Sequence, residues 1–291
     1  MIDGLVVVDK PAGWTSHDVV GRCRRIFGQR RVGHSGTLDP GATGVLLVGL
    51  GRVTRLLRFL TALSKSYEGD VVLGVATSTL DDAGDETGRW EMSGITLENV
   101  RRAAVDFVGP IMQVPPMVSA VQVGGRRLYA LARDGVEVER EARPVVVHRL
   151  EVSASVEPGV FPISVSCSSG TFVRSLAADL GTALGGGAHL RRLRRTAIGS
   201  FEVGEARTLD ELEVAGPDAV LSPAAALRDY SPLVVEPDVA VLVAHGRPLD
   251  AARLSVDGPG PWAVLDQDGS LLAVYEAAQA LLKPAVVLPV G

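Results

Sequence analysis

The run Leu5-Val6-Val7-Val8 is apolar and mostly β-branched, which predicts a buried strand, and Thr15-Ser16-His17-Asp18 then offers capping residues for a helix to about residue 27. Residues 45–49 read as a second strand and 54–63 as a second helix. A strand over 67–75 precedes a polar loop over 77–88, rich in Asp, Ser, Thr and Gly. A helix over 97–107 and a loop at Pro115-Pro116 follow, then strands at 145–152 and 161–168 and a helix over 172–184. Strands and helices mix without the steady alternation of a doubly wound sheet, so the expected class is α+β. Beyond 210–214 and a Pro- and Ala-containing stretch to residue 226 the texture changes. Residues 230–291 carry short apolar runs at 233–235, 240–244, 262–265, 271–275 and 285–290, separated by Pro, Gly and Asp turns, which predicts a small β-barrel-like domain. The expected division is 1–228 and 229–291.

Composition agrees with a folded chain, because 291 residues at 46% hydrophobic content can bury a sizeable core. The first residues show no basic leader with a long apolar stretch, and no apolar run approaches a bilayer's thickness, so a cytoplasmic location is expected. Cys23 and Cys167 lack CxxC spacing and are expected to be reduced, with packing roles. No apolar heptad suggests self-association, and a monomer is expected.

Charge changes the picture through its distribution. The net charge is −5, but residues 229–291 hold eight acidic and three basic side chains, so that segment carries the whole deficit. In the neutral remainder, Arg22–Arg31 (RCRRIFGQRR) and His189–Arg195 (HLRRLRR) are basic and free of acids. Such clusters neutralise phosphates locally whatever the global sign, although a solvated helix face explains either one alone about as well.

The stretch His34-Ser35-Gly36-Thr37-Leu38-Asp39-Pro40-Gly41-Ala42-Thr43-Gly44 sets one carboxylate among glycines, threonines and a proline, directly before an apolar strand. Pro40 pushes Asp39 toward extended dihedrals, and the glycines allow tight turns or close approach. The loop is not a phosphate-binding P-loop, since no Gly-Lys-Ser/Thr follows and it leads into a strand rather than a helix. An Asp closing its own turn is the ordinary alternative. Lys65 and Tyr67 sit at a strand start, Asp81 in the polar loop, and Arg174 on the first turn of a helix; each has an ordinary explanation taken singly.

Together these segments resemble the TruB family of tRNA pseudouridine synthases. The resemblance runs through Asp9-Lys10-Pro11-Ala12-Gly13-Trp14-Thr15-Ser16, the loop from Gly33 to Gly44, Lys65-Ser66-Tyr67, Gln113-Val114-Pro115-Pro116-Met117-Val118-Ser119-Ala120, the Gly170-to-Arg174 run, Gly187-Ala188-His189-Leu190 and Leu193-Arg194-Arg195-Thr196, over roughly residues 1–205. It implies a pseudouridine synthase fold, with a central mixed, largely antiparallel sheet flanked by helices and a small C-terminal PUA-like domain. The implied reaction isomerises uridine 55 in the T loop of tRNA without metal or organic cofactor. An RNA-folding activity is compatible with the same scaffold.

The resemblance assigns Asp39 as the catalytic aspartate, Arg174 as its paired cation and Tyr67 as the aromatic contact and candidate general base. His34 corresponds to the side chain that enters the RNA near the vacated base. Asp81, Lys65, Thr37, Gly36 and Leu190 are expected around the bound base, and Arg30, Arg31, Arg191, Arg194 and Arg195 on the T-arm phosphates. The chain departs from the family at Thr77-Ser78-Thr79, where Thr-Asp-Thr is common, and at Gln122, where lysine is usual.

Overall fold

A computed structural model describes residues 2–251, 254, 256, 258–279 and 281–288. β1 (Gly4–Lys10) leads through α1 (Ser16–Ile26) to β2 (Val32–Ser35) and β3 (Thr43–Leu50), and a 3-10 turn then precedes α2 (Leu57–Ala62). β4 (Lys65–Leu73) is followed by the hairpin β5 (Val75–Thr77) and β6 (Glu86–Arg89), then α3 (Leu97–Val105) and β7 (Gly109–Gln113). A second small hairpin, β8 (Gln122–Val123) and β9 (Arg126–Arg127), runs into α4 (Leu128–Arg133). β10 (Arg143–Val152), β11 (Val160–Cys167), α5 (Val173–Ala183), β12 (Ala188–Ile198), β13 (Phe201–Glu202) and α6 (Leu209–Ala215) complete this part.

The main sheet is nine-stranded, in the order β1-β3-β12-β4-β11-β10-β7, with β2 added on β3 and β13 on β12. Its only parallel pairing among the described strands is β3 with β12. The continuous apolar run of β1 follows from burial on both faces. Val6 and Val8 pack with Val19, Val20 and Cys23 of α1 and with Leu209 and Leu212 of α6, while Leu5 and Val7 face Phe59 and Leu60 of α2. α3 and α5 cover the other end of the sheet, their Val100, Ala104, Leu176 and Leu180 meeting Val71, Val147 and Val165.

The C-terminal part holds β14 (Ser231–Val234), α7 (Pro237–Ala244), β15 (Leu249–Asp250), β16 (Trp262–Leu265), β17 (Leu271–Ala278) and β18 (Leu281–Val287), in a sheet of order β14-β16-β17-β18-β15. One face, with Ala263, Leu271, Val274 and Val286, joins the cluster around α2, and Tyr230 Oη donates to Phe59 O at 2.8 Å. The opposite face gathers Trp262, Val264 and Tyr275 with Val243 of α7.

Two expectations are corrected. Residues 240–244 lie in a helix, where Pro237 in the first turn fits its missing N–H to a helix start. The segment 189–195, for which a solvated helix face was the alternative to a phosphate-binding cluster, is a strand inside the main sheet. The end of the strand expected at 285–290 lies partly outside the described residues. No helix among the described residues is long and apolar enough to cross a membrane.

One local feature of the sheet positions everything that follows. β2 pairs with β3 at Leu47–Leu50, and β12 takes over the role of neighbour at Thr43 and Gly44. The loop 36–42 leaves the sheet where these two strands part.

Candidate active site

Gly36 (φ +76°) and Gly44 (φ +100°) turn the chain at either end of this loop, in a region that side chains disfavour. At Gly44 the space is also closed, since a Cβ there would lie 2.1 Å from the Arg195 carbonyl oxygen. The loop is pinned from beneath. The fully buried Lys10 donates from Nζ to Pro40 O at 3.1 Å, Pro11 O at 2.9 Å and Trp14 O at 2.6 Å, and Leu38 N donates to Ser16 Oγ at 2.9 Å. Burial pushes the Lys10 ammonium down to about 8, opposed by the Asp39 charge. Three carbonyl acceptors, one for each proton, suit its charged form.

The loop delivers Asp39 to Arg174. Arg174 Nε lies 3.0 Å from Asp39 Oδ2 and Nη1 lies 3.5 Å from Asp81 Oδ2. The guanidinium is locked by further donation to Thr79 O at 2.6 Å and Val118 O at 2.7 Å. Arg174 is 4% exposed, whereas the Asp39 side chain keeps 40% of its surface open, so the carboxylate faces a hollow and its cation lies behind it. Burial raises the Asp39 pKa; Arg174 and Lys10 oppose this, and Asp81 adds to it.

The helix carrying Arg174 starts at Phe172 without a side-chain cap, and Gln113 supplies what is missing. Its Oε1 accepts from Phe172 N at 2.7 Å and its Nε2 donates to Phe172 O at 3.0 Å. Ser175 Oγ donates to Val114 O at 3.0 Å, joining the helix to the 114–121 segment.

These parts enclose a cavity of about 320 Å³ lined by Asp39, Tyr67, Lys65, Phe172, Arg174, Leu193 and Arg195, with Gly36, Thr37 and Ser119–Val121 at its margins. Tyr67 is buried, and its pKa is raised by that burial against the pull of Arg195. Lys65 is held by Thr61 O at 2.8 Å and Leu63 O at 2.6 Å, and burial pushes it down to about 8. A second hollow of about 420 Å³ shares Asp39 and Arg174 and adds Asp81, Asp82, Leu190 and Arg192.

The structure therefore brings Asp39, Tyr67, Arg174, Lys65, Gly36 and Thr37 to one cavity and Asp81 to the far side of Arg174. Leu190 lines only the second hollow, and Leu193 is the leucine on the wall beside Tyr67. His34 lies on β2, outside both linings, with its buried Nδ1 lacking a partner and its pKa lowered by burial. Arg30 and Arg31 are exposed where α1 turns into β2. Arg191 pairs with Glu157 at 2.6 Å and Arg194 with Asp9 at 2.7 Å. The expectation that Arg195 meets phosphates is corrected, because it is 1% exposed and donates to Val45 O at 2.7 Å and Gly36 O at 3.0 Å. Phe172, Leu193 and the pocket role of Arg195 were missed. Only the alternation of side chains along β12 could have signalled the last two.

Comparison with known proteins decides the family. The TruB family pseudouridylate synthase N-terminal domain matches residues 24–173, the tRNA pseudouridylate synthase B C-terminal domain residues 174–227, and the tRNA pseudouridine synthase II C-terminal region residues 231–289. The chain belongs to the TruB family. Its relatives include the tRNA pseudouridine synthase B of Mycobacterium sp. (strain KMS), 47% identical over 98% of this chain and 96% of that one. That of Mycobacterium bovis (strain BCG / Pasteur 1173P2) is 44% identical over 98% of both. A chain in a solved Cbf5-Nop10-Gar1 complex superposes with a TM-score of 0.78 at 25% identity, covering 98% of this chain and 85% of that one. The nine-stranded mixed sheet is thus the pseudouridine synthase fold, and the C-terminal sheet is its PUA-like appendage. As a TruB protein, this chain is an isomerase.

Proposed function

We propose that the protein isomerises uridine 55 in the T loop of tRNA to pseudouridine, with Asp39 as the reacting carboxylate, Arg174 as its fixed countercharge and Tyr67 as the aromatic and proton-transferring wall. The observation that carries this reading is the 3.0 Å contact between a buried guanidinium and a carboxylate that opens into the cavity lined by Tyr67. The choice of tRNA rests on the relatives' names.

A base stacked in a loop must be extruded first, at a few kcal/mol. Contact with the Tyr67 ring, flanked by Phe172 and Leu193, offsets about 1–3 kcal/mol of that. A cavity at the small end of ligand sites suits a single pyrimidine. The reaction then breaks the bond from ribose C1′ to N1, turns the uracil, joins C5 to C1′ and removes the C5 proton. A carboxylate acts on this path only when ionised, and desolvation by the entering base works against ionisation. Arg174 supplies a permanent opposing charge whose geometry is fixed before the base arrives. RNA loops are recognised through backbone and splayed bases, which assigns the exposed Arg30 and Arg31 to phosphates.

The test is to incubate the protein and its Asp39→Asn variant with an unmodified T-arm hairpin and map pseudouridine chemically. Conversion by the parent chain and none by the variant is expected; conversion by the variant removes Asp39 from its role.

A further inference from the structure

Arg195 is a cation buried to 1% exposure with which no carboxylate among the described residues forms an ion pair. Leaving a guanidinium without a countercharge inside a protein is costly, and such groups are normally paired. Two of its donors are accounted for by the sheet. Between the stretch of β3 paired with β2 and the stretch paired with β12, the Val45 carbonyl accepts from Arg195 Nε, and Gly36 O, at the start of the Asp39 loop, accepts from Nη2. Asp39, which lines the same cavity, is paired with Arg174, and, Tyr67 aside, the other ionisable groups that feel Arg195 are potential cations. Arg195 helps push down the pKa values of Lys10, Lys65 and His34, and Lys65 lines the same cavity.

The register shows what the charge faces. Arg195 on β12 stands directly opposite Tyr67 on β4, so the two side chains leave the same face of the sheet, and the guanidinium lies beside the phenol at the cavity wall.

We propose that Arg195 is a positioning residue for the isomerisation, acting through Tyr67 as the countercharge to a transient phenolate. The proposal rests on the functional reading above. Tyr67 starts as the neutral phenol that its burial favours. When the C1′–N1 bond breaks, its electron pair stays on N1, and the phenolic O–H gives its proton there. The phenolate is held by the waiting guanidinium. After C5 has joined C1′, the phenolate takes the C5 proton, whose bonding pair returns to the ring as the C5=C6 bond. The net change is one proton moved from C5 to N1, with Tyr67 restored.

The experiment compares the parent chain, Arg195→Met, Tyr67→Phe and the double variant in single turnovers on T-arm hairpins carrying protium or deuterium at C5 of the target uridine. Arg195→Met should slow conversion on the order of 100-fold, within the range of acid–base contributions. Its C5 isotope effect should exceed the parent's, and the double variant should be no slower than Tyr67→Phe. A merely structural loss would slow the reaction without changing the isotope effect. That outcome, multiplying losses in the double variant, or parental activity in Arg195→Met would each overturn the proposal. If Arg195→Met fails to fold, Arg195→Lys carries the same cycle, and its smaller defect must show the same isotope signature. Failure of the parent chain to convert the hairpin would instead overturn the functional reading itself.

Discussion

At the scale of single residues, the carboxylate at position 39 is held in a state that the fold itself disfavours. Its pKa is raised above the ordinary value of 3.8, with burial the largest cause. A carboxyl raised in the folded state contributes stability below its unfolded pKa and loses it as pH climbs through the folded one. At neutral pH ionised Asp39 is therefore a net burden on the fold. Asp39→Asn should abolish activity while melting at or above the parent temperature at pH 7, and a clear drop in Tm would contradict this. The three side chains to which the proposed function gives the chemistry, Asp39, Tyr67 and Arg174, were legible in the sequence because motif context singled them out. The wall residues were not, since nothing in Phe172 or Leu193 distinguishes an apolar side chain lining a cavity from one filling a core.

At the scale of elements, the site depends on how closely β12 approaches β3. Gly44→Ala would set a Cβ against the Arg195 carbonyl at a positive φ, and should cost about 2–4 kcal/mol in chemical denaturation as well as activity. Two buried lysines of the site, Lys10 beneath the loop and Lys65 in the cavity wall, lose their protons early. Lys10 and Lys65 fall to about 8 from 10.5, so between those values the unfolded chain binds more protons and stability rises with pH. Thermal unfolding between pH 8 and 9, below the range in which the buried Cys23 thiol, pushed from 9.0 up to about 12, takes stability away again, should show that rise, and Lys65→Met should flatten it. The longer elements were legible from apolar β-branched runs and from capping and turn residues. β12 was not, because its four arginines conceal the alternation: Arg195 points inward while Arg194 pairs with Asp9 at 2.7 Å and register shifts break the pattern on either side. α7 was misread because an unbroken apolar run has no period to separate helix from strand.

At the scale of the whole molecule, charge is divided. The C-terminal segment is net acidic, while Arg30 and Arg31 are exposed at the α1–β2 turn, Arg31 Nε donating to Thr54 Oγ1 at 3.0 Å, and the proposed function gives both to the RNA phosphates. Binding of a T-arm hairpin should weaken with salt. Changing Arg30 and Arg31 together to Ala should reduce the log–log slope by about 1–2, whereas Arg195→Met should leave it unmoved. The fold also gathers Asp39, Tyr67 and Arg174 from a loop, a strand and a helix far apart in sequence, and in the proposed function the helix cation keeps the loop carboxylate ionised. The acid limb of the single-turnover pH–rate profile on saturating hairpin tests this most directly, in the parent chain and in Arg174→Met. Removing the guanidinium should move that limb to higher pH; a variant that still binds and converts RNA with its limb unmoved would show that Arg174 does not hold Asp39 ionised.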